Sequence, residues 1–105
     1  MNSEIDISRS IGDISEVLDG KFVLTDDNVF SLYPSLFSSA AHVFVTRHGE
    51  DSKTLENAGR VLAEMAAKRL DRKSTLVAVG GGVVGDLGGF AAAVYMRGID
   101  WINVP

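Results

Sequence analysis

Six of the eleven glycines fall between positions 80 and 89, and the run Gly80-Gly81-Gly82-Val83-Val84-Gly85-Asp86 is where this sequence is best equipped for chemistry. It stands between an apolar run and a helical stretch, the setting that a phosphate-binding turn requires. Glycine reaches positive φ and lets main chain approach a ligand closely. The first amides of the following helix then point unpaired N–H groups, with the positive end of the dipole, at an anion. Gly80, Gly82 and Gly85 satisfy G-x-G-x-x-G. In the dinucleotide fingerprint that motif follows the first strand, and an acidic residue about 20 positions later grips a ribose. Here it follows a late strand, and the residue 20 positions on, Asp100, opens the next strand. Tight helix–strand packing is the competing explanation for the glycines, and Gly88 and Gly89, inside the helix, fit that use better. Asp86 falls in the first helical turn on this reading, where it either complements the dipole or accepts from ribose hydroxyls. Position alone does not choose between these.

Two more polar groups follow predicted strands: Asp26-Asp27-Asn28, and His48-Gly49-Glu50-Asp51-Ser52-Lys53. Both fall at the carboxyl edge, where open α/β sheets bind ligands. Capping and turn formation account for most such residues taken singly; three clusters on one edge are harder to dismiss. His42 opens a strand and reads as a packed or surface histidine, and His48 as a loop histidine within reach of a ligand. Two histidines without a cysteine give no metal constellation, and no Ser-His-Asp or Cys-His arrangement can be argued.

The elements that must position these residues alternate. Phe22-Val23-Leu24-Thr25, His42-Val43-Phe44-Val45-Thr46 and Thr75-Leu76-Val77-Ala78-Val79 read as strands, the last apolar enough for the centre of a parallel sheet. Asn28 to about Ser39 reads as helical with a break at Pro34. Leu55, Ala58, Val61, Leu62, Met65, Ala66 and Leu70 form one helical stripe, which Asp51 or Ser52 would cap. A helix from about Val84 to Met96 stops at Arg97-Gly98, and Ile99 to Val104 is a last strand. A further strand near Ile5–Ser8 is weakly signalled. The pattern is α/β: a parallel sheet covered by helices.

Composition bounds the rest. At 105 residues, one domain is expected. A 46% apolar content excludes intrinsic disorder. The net charge of −4, with no basic stripe, argues against a nucleic-acid partner. No apolar run approaches the roughly 18–20 residues of a membrane span, and the N-terminus lacks the features of a secretory signal. The absence of cysteine excludes a disulfide scaffold and thiolate-bound zinc, so a cytoplasmic protein is expected. The chain stops directly after a strand, which suggests a piece of a longer protein. The last strand, Trp101 to Val104, would then present an unpaired edge, implying a homodimer or an oligomer with swapped elements.

The long glycine motif continues as Leu87-x-Gly89-Phe90-Ala91-Ala92, then Tyr95-x-Arg97-Gly98-Ile99 and Val104-Pro105. With Leu70-Asp71-Arg72-Lys73-Ser74, Gly49-Glu50-x-x-Lys53-Thr54-Leu55 and Thr25-Asp26-x-Asn28-Val29, it resembles the N-terminal domain of the 3-dehydroquinate synthases from about residue 20 onward. The resemblance implies a Rossmann-like parallel sheet with helices on both faces, here a partial dinucleotide-binding domain over residues 1–105. It implies bound NAD and a divalent metal, zinc or cobalt, whose ligands lie outside this chain. The implied reaction converts the sugar phosphate 3-deoxy-D-arabino-heptulosonate 7-phosphate to 3-dehydroquinate with loss of phosphate, within the shikimate pathway of aromatic amino acid biosynthesis. Its steps are oxidation of a hydroxyl by NAD, β-elimination of phosphate, re-reduction of the ketone and ring closure. On this resemblance Asp26 and Asn28 lie at the adenosine end of NAD, and Glu50 and Lys53 hold ribose and phosphate oxygens. Gly81, Gly82 and Val83 present main chain to the pyrophosphate, and Asp86 binds a ribose. Arg97 resembles the family arginine that reaches the substrate phosphate, in some members from a neighbouring subunit; charge at a helix C-terminus is the alternative role.

Arg47-His48 stands where the family commonly has Pro-Asp, which bears on the neighbouring ribose contact. The family chain is over three times longer. Its substrate lysines, metal-binding residues and the threonines that complete the cofactor site lie beyond residue 105. These residues alone are therefore expected to be inactive. Competing readings are another sugar-phosphate cyclase such as an inosose synthase, a metal-dependent polyol dehydrogenase, or a non-catalytic binding or assembly module.

Overall fold

A computed structural model describes residues 2–4 and 11–105. The elements in chain order are β1 (Asn2–Glu4), α1 (Ile11–Leu18), β2 (Phe22–Asp26), α2 (Asp27–Leu32), β3 (His42–Thr46), α3 (Leu55–Ala67), β4 (Thr75–Val79), α4 (Gly82–Val94) and β5 (Asp100–Val104). Short 3-10 turns cover Pro34–Phe37, Glu50–Ser52 and Tyr95–Arg97. The strands form one parallel sheet in the order β1-β5-β4-β2-β3.

Strand alternation divides the core in two. Phe22, Leu24, Leu76 and Ala78 face α3 and α4 through Ala58, Val61, Met65, Val84, Leu87 and Ala91. Val23, Val77, Val79 and Val104 face Ile14 and Leu18 of α1, with Leu36 and Phe37 of the turn beyond α2. The helices follow from right-handed crossovers. Connections that run one way along the sheet (β1 to β2, β2 to β3) lie on one face, and those that run back (β3 to β4, β4 to β5) lie on the other. The α/β expectation holds, with helices on both faces.

Several expectations are corrected. The expected last strand is an interior one: β5 pairs with β4 along its whole length and with β1 on its other side, Asn2 facing Trp101. An unpaired edge at Trp101–Val104 is thus no ground for oligomerisation. The weak strand near Ile5–Ser8 lies outside the described residues; the strand present is Asn2–Glu4. Helix α1 was not foreseen. Thr54, not Asp51 or Ser52, caps α3, its hydroxyl accepting from the Asn57 N–H at 3.0 Å, and Ser52 is occupied in the preceding turn. Leu55 leaves the stripe and is 79% exposed. Helix α4 begins at Gly82, two residues early, which moves Asp86 out of the first turn.

Candidate functional site

The chain leaves β2 toward one edge of the sheet and β4 toward the other, so the carboxyl ends of β2 and β4 flank the topological switch point. The Thr25 hydroxyl donates to the Val79 carbonyl at 2.7 Å and joins the two strands there. Gly80 follows at φ 151°, its N–H donating to the Val104 carbonyl at 3.0 Å. A Cβ at Gly80 would stand 3.1 Å from Val84 Cγ2, so glycine is needed for space as well as conformation. Gly81 is the N-cap of α4, with no side chain capping the first turn. A Cβ on Gly81 or Gly82 would meet nothing within 4 Å. The bend therefore opens outward, with uncapped helical amides facing open space, as an anion cradle requires.

Asp26 lies beside this turn. It is 9% exposed; its Oδ1 accepts from the Val29 N–H at 2.8 Å, while its Oδ2 is 3.6 Å from where a Gly80 Cβ would be. Across the opening, Lys53 Nζ and Asp86 Oδ2 form a 2.9 Å ion pair between the segment before α3 and the second turn of α4. That hydrogen bond first, then the charges of Asp86 and Glu50, raises the Lys53 pKa above the ordinary lysine value. Below the pair, Thr54, Leu55, Ala58, Leu87 and Phe90 line an apolar groove of about 240 Å³.

The loop after β3 is braced on one side by Asn57, whose Nδ2 donates to Thr46 Oγ1 at 2.8 Å and to the Ser52 carbonyl at 2.9 Å. The Ser52 hydroxyl donates to the Arg47 carbonyl. On the other side, Asp27 Oδ1 accepts from the His48 N–H at 3.0 Å and lies 2.7 Å from His48 Nδ1. This contact with the ring is the main reason the Asp27 pKa sits below the usual carboxylate range.

The structure thus gathers Asp26, Asn28, Glu50, Lys53, Gly81, Gly82, Val83 and Asp86 on the carboxyl edge of one sheet. It does not bring Arg97 to them. Helix α4 has 13 residues and spans about 20 Å, with the glycine turn at one end and Arg97 beyond the other. The sequence reading overlooked Asp27, His48 and Asn57 as a brace. The nearest signal was the polar composition of the two loops, which does not reveal their pairing. His42 is remote from the site; its Nε2 is 3.0 Å from Glu64 Oε2 and its ring packs on Phe22. Among the described residues no three His, Cys, Asp or Glu side chains are grouped to hold a metal ion, and no helix is long and apolar enough to cross a membrane.

Fold and turn define a class: a Rossmann-like parallel α/β domain with an open, glycine-lined bend at its switch point. A family model described as 3-dehydroquinate synthase N-terminal matches residues 43–105, more than half of the chain. The chain belongs to the 3-dehydroquinate synthase family. It is 41% identical over 99 residues to the 3-dehydroquinate synthase of Alkaliphilus oremlandii, covering 88% of this chain and 27% of that protein. It is 50% identical over 91 residues to that of Caldanaerobacter subterraneus, covering 80% of this chain and 26% of the relative. The chain therefore spans about a quarter of the length of the curated relatives it matches. Among solved structures, 2-epi-5-epi-valiolone synthase from Streptomyces hygroscopicus, with NAD+ and Zn2+ bound, superposes with a TM-score of 0.84 at 24% identity, over 100% of this chain and 32% of that one. A 2-deoxy-scyllo-inosose synthase complexed with carbaglucose-6-phosphate, NAD+ and Co2+ gives 0.68 at 23% identity, over 99% and 31%. At that identity the likeness is one of fold.

Proposed function

We propose that residues 1–105 are the cofactor-binding part of a 3-dehydroquinate synthase that acts on 3-deoxy-D-arabino-heptulosonate 7-phosphate. The observation that carries this reading is the open bend at Gly81-Gly82, uncapped, at the switch point of the sheet. Its amides, with that of Val83, would hold the pyrophosphate of NAD. Asp26 and Asn28 would face the adenosine end, Glu50 and Lys53 ribose and phosphate oxygens, and Asp86 a ribose hydroxyl. NAD, when bound, supplies reversible hydride acceptance; these residues bind and orient it. The metal has no fit among the described residues, so its ligands and the substrate-binding groups would belong to the remaining length that the relatives have. The 41–50% identity to proteins named 3-dehydroquinate synthase, against 23–24% to the two other cyclases, favours this substrate over theirs.

Gly82→Asp tests the reading. An acidic side chain at the first helical position suits the dipole and meets no neighbour, so the fold should hold. The carboxylate would stand where the pyrophosphate is placed. Calorimetric titration with NAD is expected to show affinity at least about tenfold weaker, and phosphate release from the heptulosonate phosphate should fall in the full-length protein. Unchanged NAD affinity in a folded variant would refute the placement.

A further inference from the structure

Four of the groups assigned to NAD come from two separate segments. Asp26 and Asn28 flank the start of α2, while Glu50 and Lys53 belong to the loop after β3. Asn57 and Ser52 brace that loop against β3 and α3. Among the described residues, the hydrogen bonds that join it to α2 are those of His48 to Asp27, residues 21 positions apart in sequence. The main-chain bond survives any substitution at 48 except proline, which has no N–H. The ring bond at 2.7 Å belongs to the histidine side chain.

We propose that His48 is a positioning residue for the cofactor: its Nδ1–H, held by Asp27 Oδ1, locks the loop after β3 against the start of α2 so that both segments face one cleft. The proposal rests on the NAD reading above. It is distinct from a ribose contact, which the ring could make only through Nε2, whereas the positioning bond uses Nδ1. It also gives a physical role to the histidine of the Arg47-His48 pair. Gly49 follows at φ 98°, a turn that carries Glu50 back toward Lys53 once His48 is pinned. With the ring bond missing, the loop would sample orientations in which Glu50 and Lys53 no longer converge with Asp26, and NAD would bind only the fraction of molecules that are correctly arranged.

Three variants of the full-length protein separate this role from a merely structural one. Asparagine places an amide N–H at the position of Nδ1, glutamine places it one methylene further out, and alanine removes it. His48→Ala and His48→Gln are expected to raise the KM for NAD roughly three- to tenfold, with kcat at saturating NAD held, while His48→Asn stays within about twofold of wild type. Equal KM values for wild type and His48→Ala overturn the proposal, as does a His48→Asn variant as impaired as His48→Ala. Should wild type bind no NAD at all, the cofactor reading fails and takes the proposal with it. Normal binding by wild type and all three variants removes the positioning role alone.

Discussion

Asp26 shows how one carboxylate divides its two oxygens between fold and site. Oδ1 caps α2 through the Val29 N–H, and Oδ2 faces the glycine turn. Substitution can separate these uses. Asp26→Asn keeps a good cap and removes the charge, so the melting temperature should change little while NAD affinity falls. Asp26→Ala removes both, and adds a destabilisation of about 1 kcal/mol. Thermal melting and NAD calorimetry on the same pair of variants check this; equal NAD affinity in Asp26→Asn and wild type would free Asp26 from the site. The sequence revealed Asp26 as a cap candidate and, by family resemblance, as a cofactor contact. That one of its oxygens caps α2 while the other faces the glycine turn was not legible, because it depends on Gly80 approaching across the sheet from 54 residues away in sequence. The same holds for Lys53 and Asp86, each visible as a candidate. Only packing α3 beside α4 brings them within 2.9 Å.

Among the elements, β2, β3 and β4 were legible because unbroken β-branched and aromatic runs have few alternatives to a buried strand. Strand β1 was not, since Asn2-Ser3-Glu4 has little strand propensity of its own and its pairing comes from the edge that β5 offers. Helix α1 carries only two turns of pattern, through Ile14 and Leu18. The start of α4 was misplaced because a glycine cap leaves no side-chain signature. Inside the helices, glycine has two opposite meanings. A Cβ at Gly88 would stand 2.9 Å from Ala78 Cβ and 3.2 Å from Trp101 Nε1, so α4 lies this close to β4 and β5 only because no side chain intervenes. Gly59, in α3, would meet nothing within 4 Å. Gly88→Ala should therefore destabilise by about 1–3 kcal/mol despite better helix propensity. Gly59→Ala should stabilise by about 0.5–1 kcal/mol. Denaturant melts of both variants read the contrast directly, and a stabilised Gly88→Ala would mean that α4 does not sit against β4 as described.

At the scale of the whole molecule the separated residue is Arg97. It stands at φ 70° next to Met96 at φ 48°, two consecutive left-handed non-glycine residues, an arrangement that costs about 1–2 kcal/mol per residue and that Gly98 does not require. Arg97 is exposed and lies beyond the end of α4 opposite to the glycine bend. Phe90, Val94 and Met96 are exposed large apolar residues on the same helix and turn. If Arg97 reaches a substrate phosphate, as the family resemblance implies, the length of α4 points to the site of a second copy rather than to its own glycine bend, and this exposed apolar stretch offers a contact between copies. Complementation decides the matter. In the full-length protein, Arg97→Ala and Gly82→Asp should each be nearly inactive. In a mixed dimer the Arg97→Ala subunit keeps an intact glycine turn and receives Arg97 from its partner, so one site in each mixed dimer works. Random mixing makes half of the dimers mixed, and activity should return to about a quarter of wild type. Were Arg97 to act within its own subunit, every site would carry a defect and mixing would restore nothing.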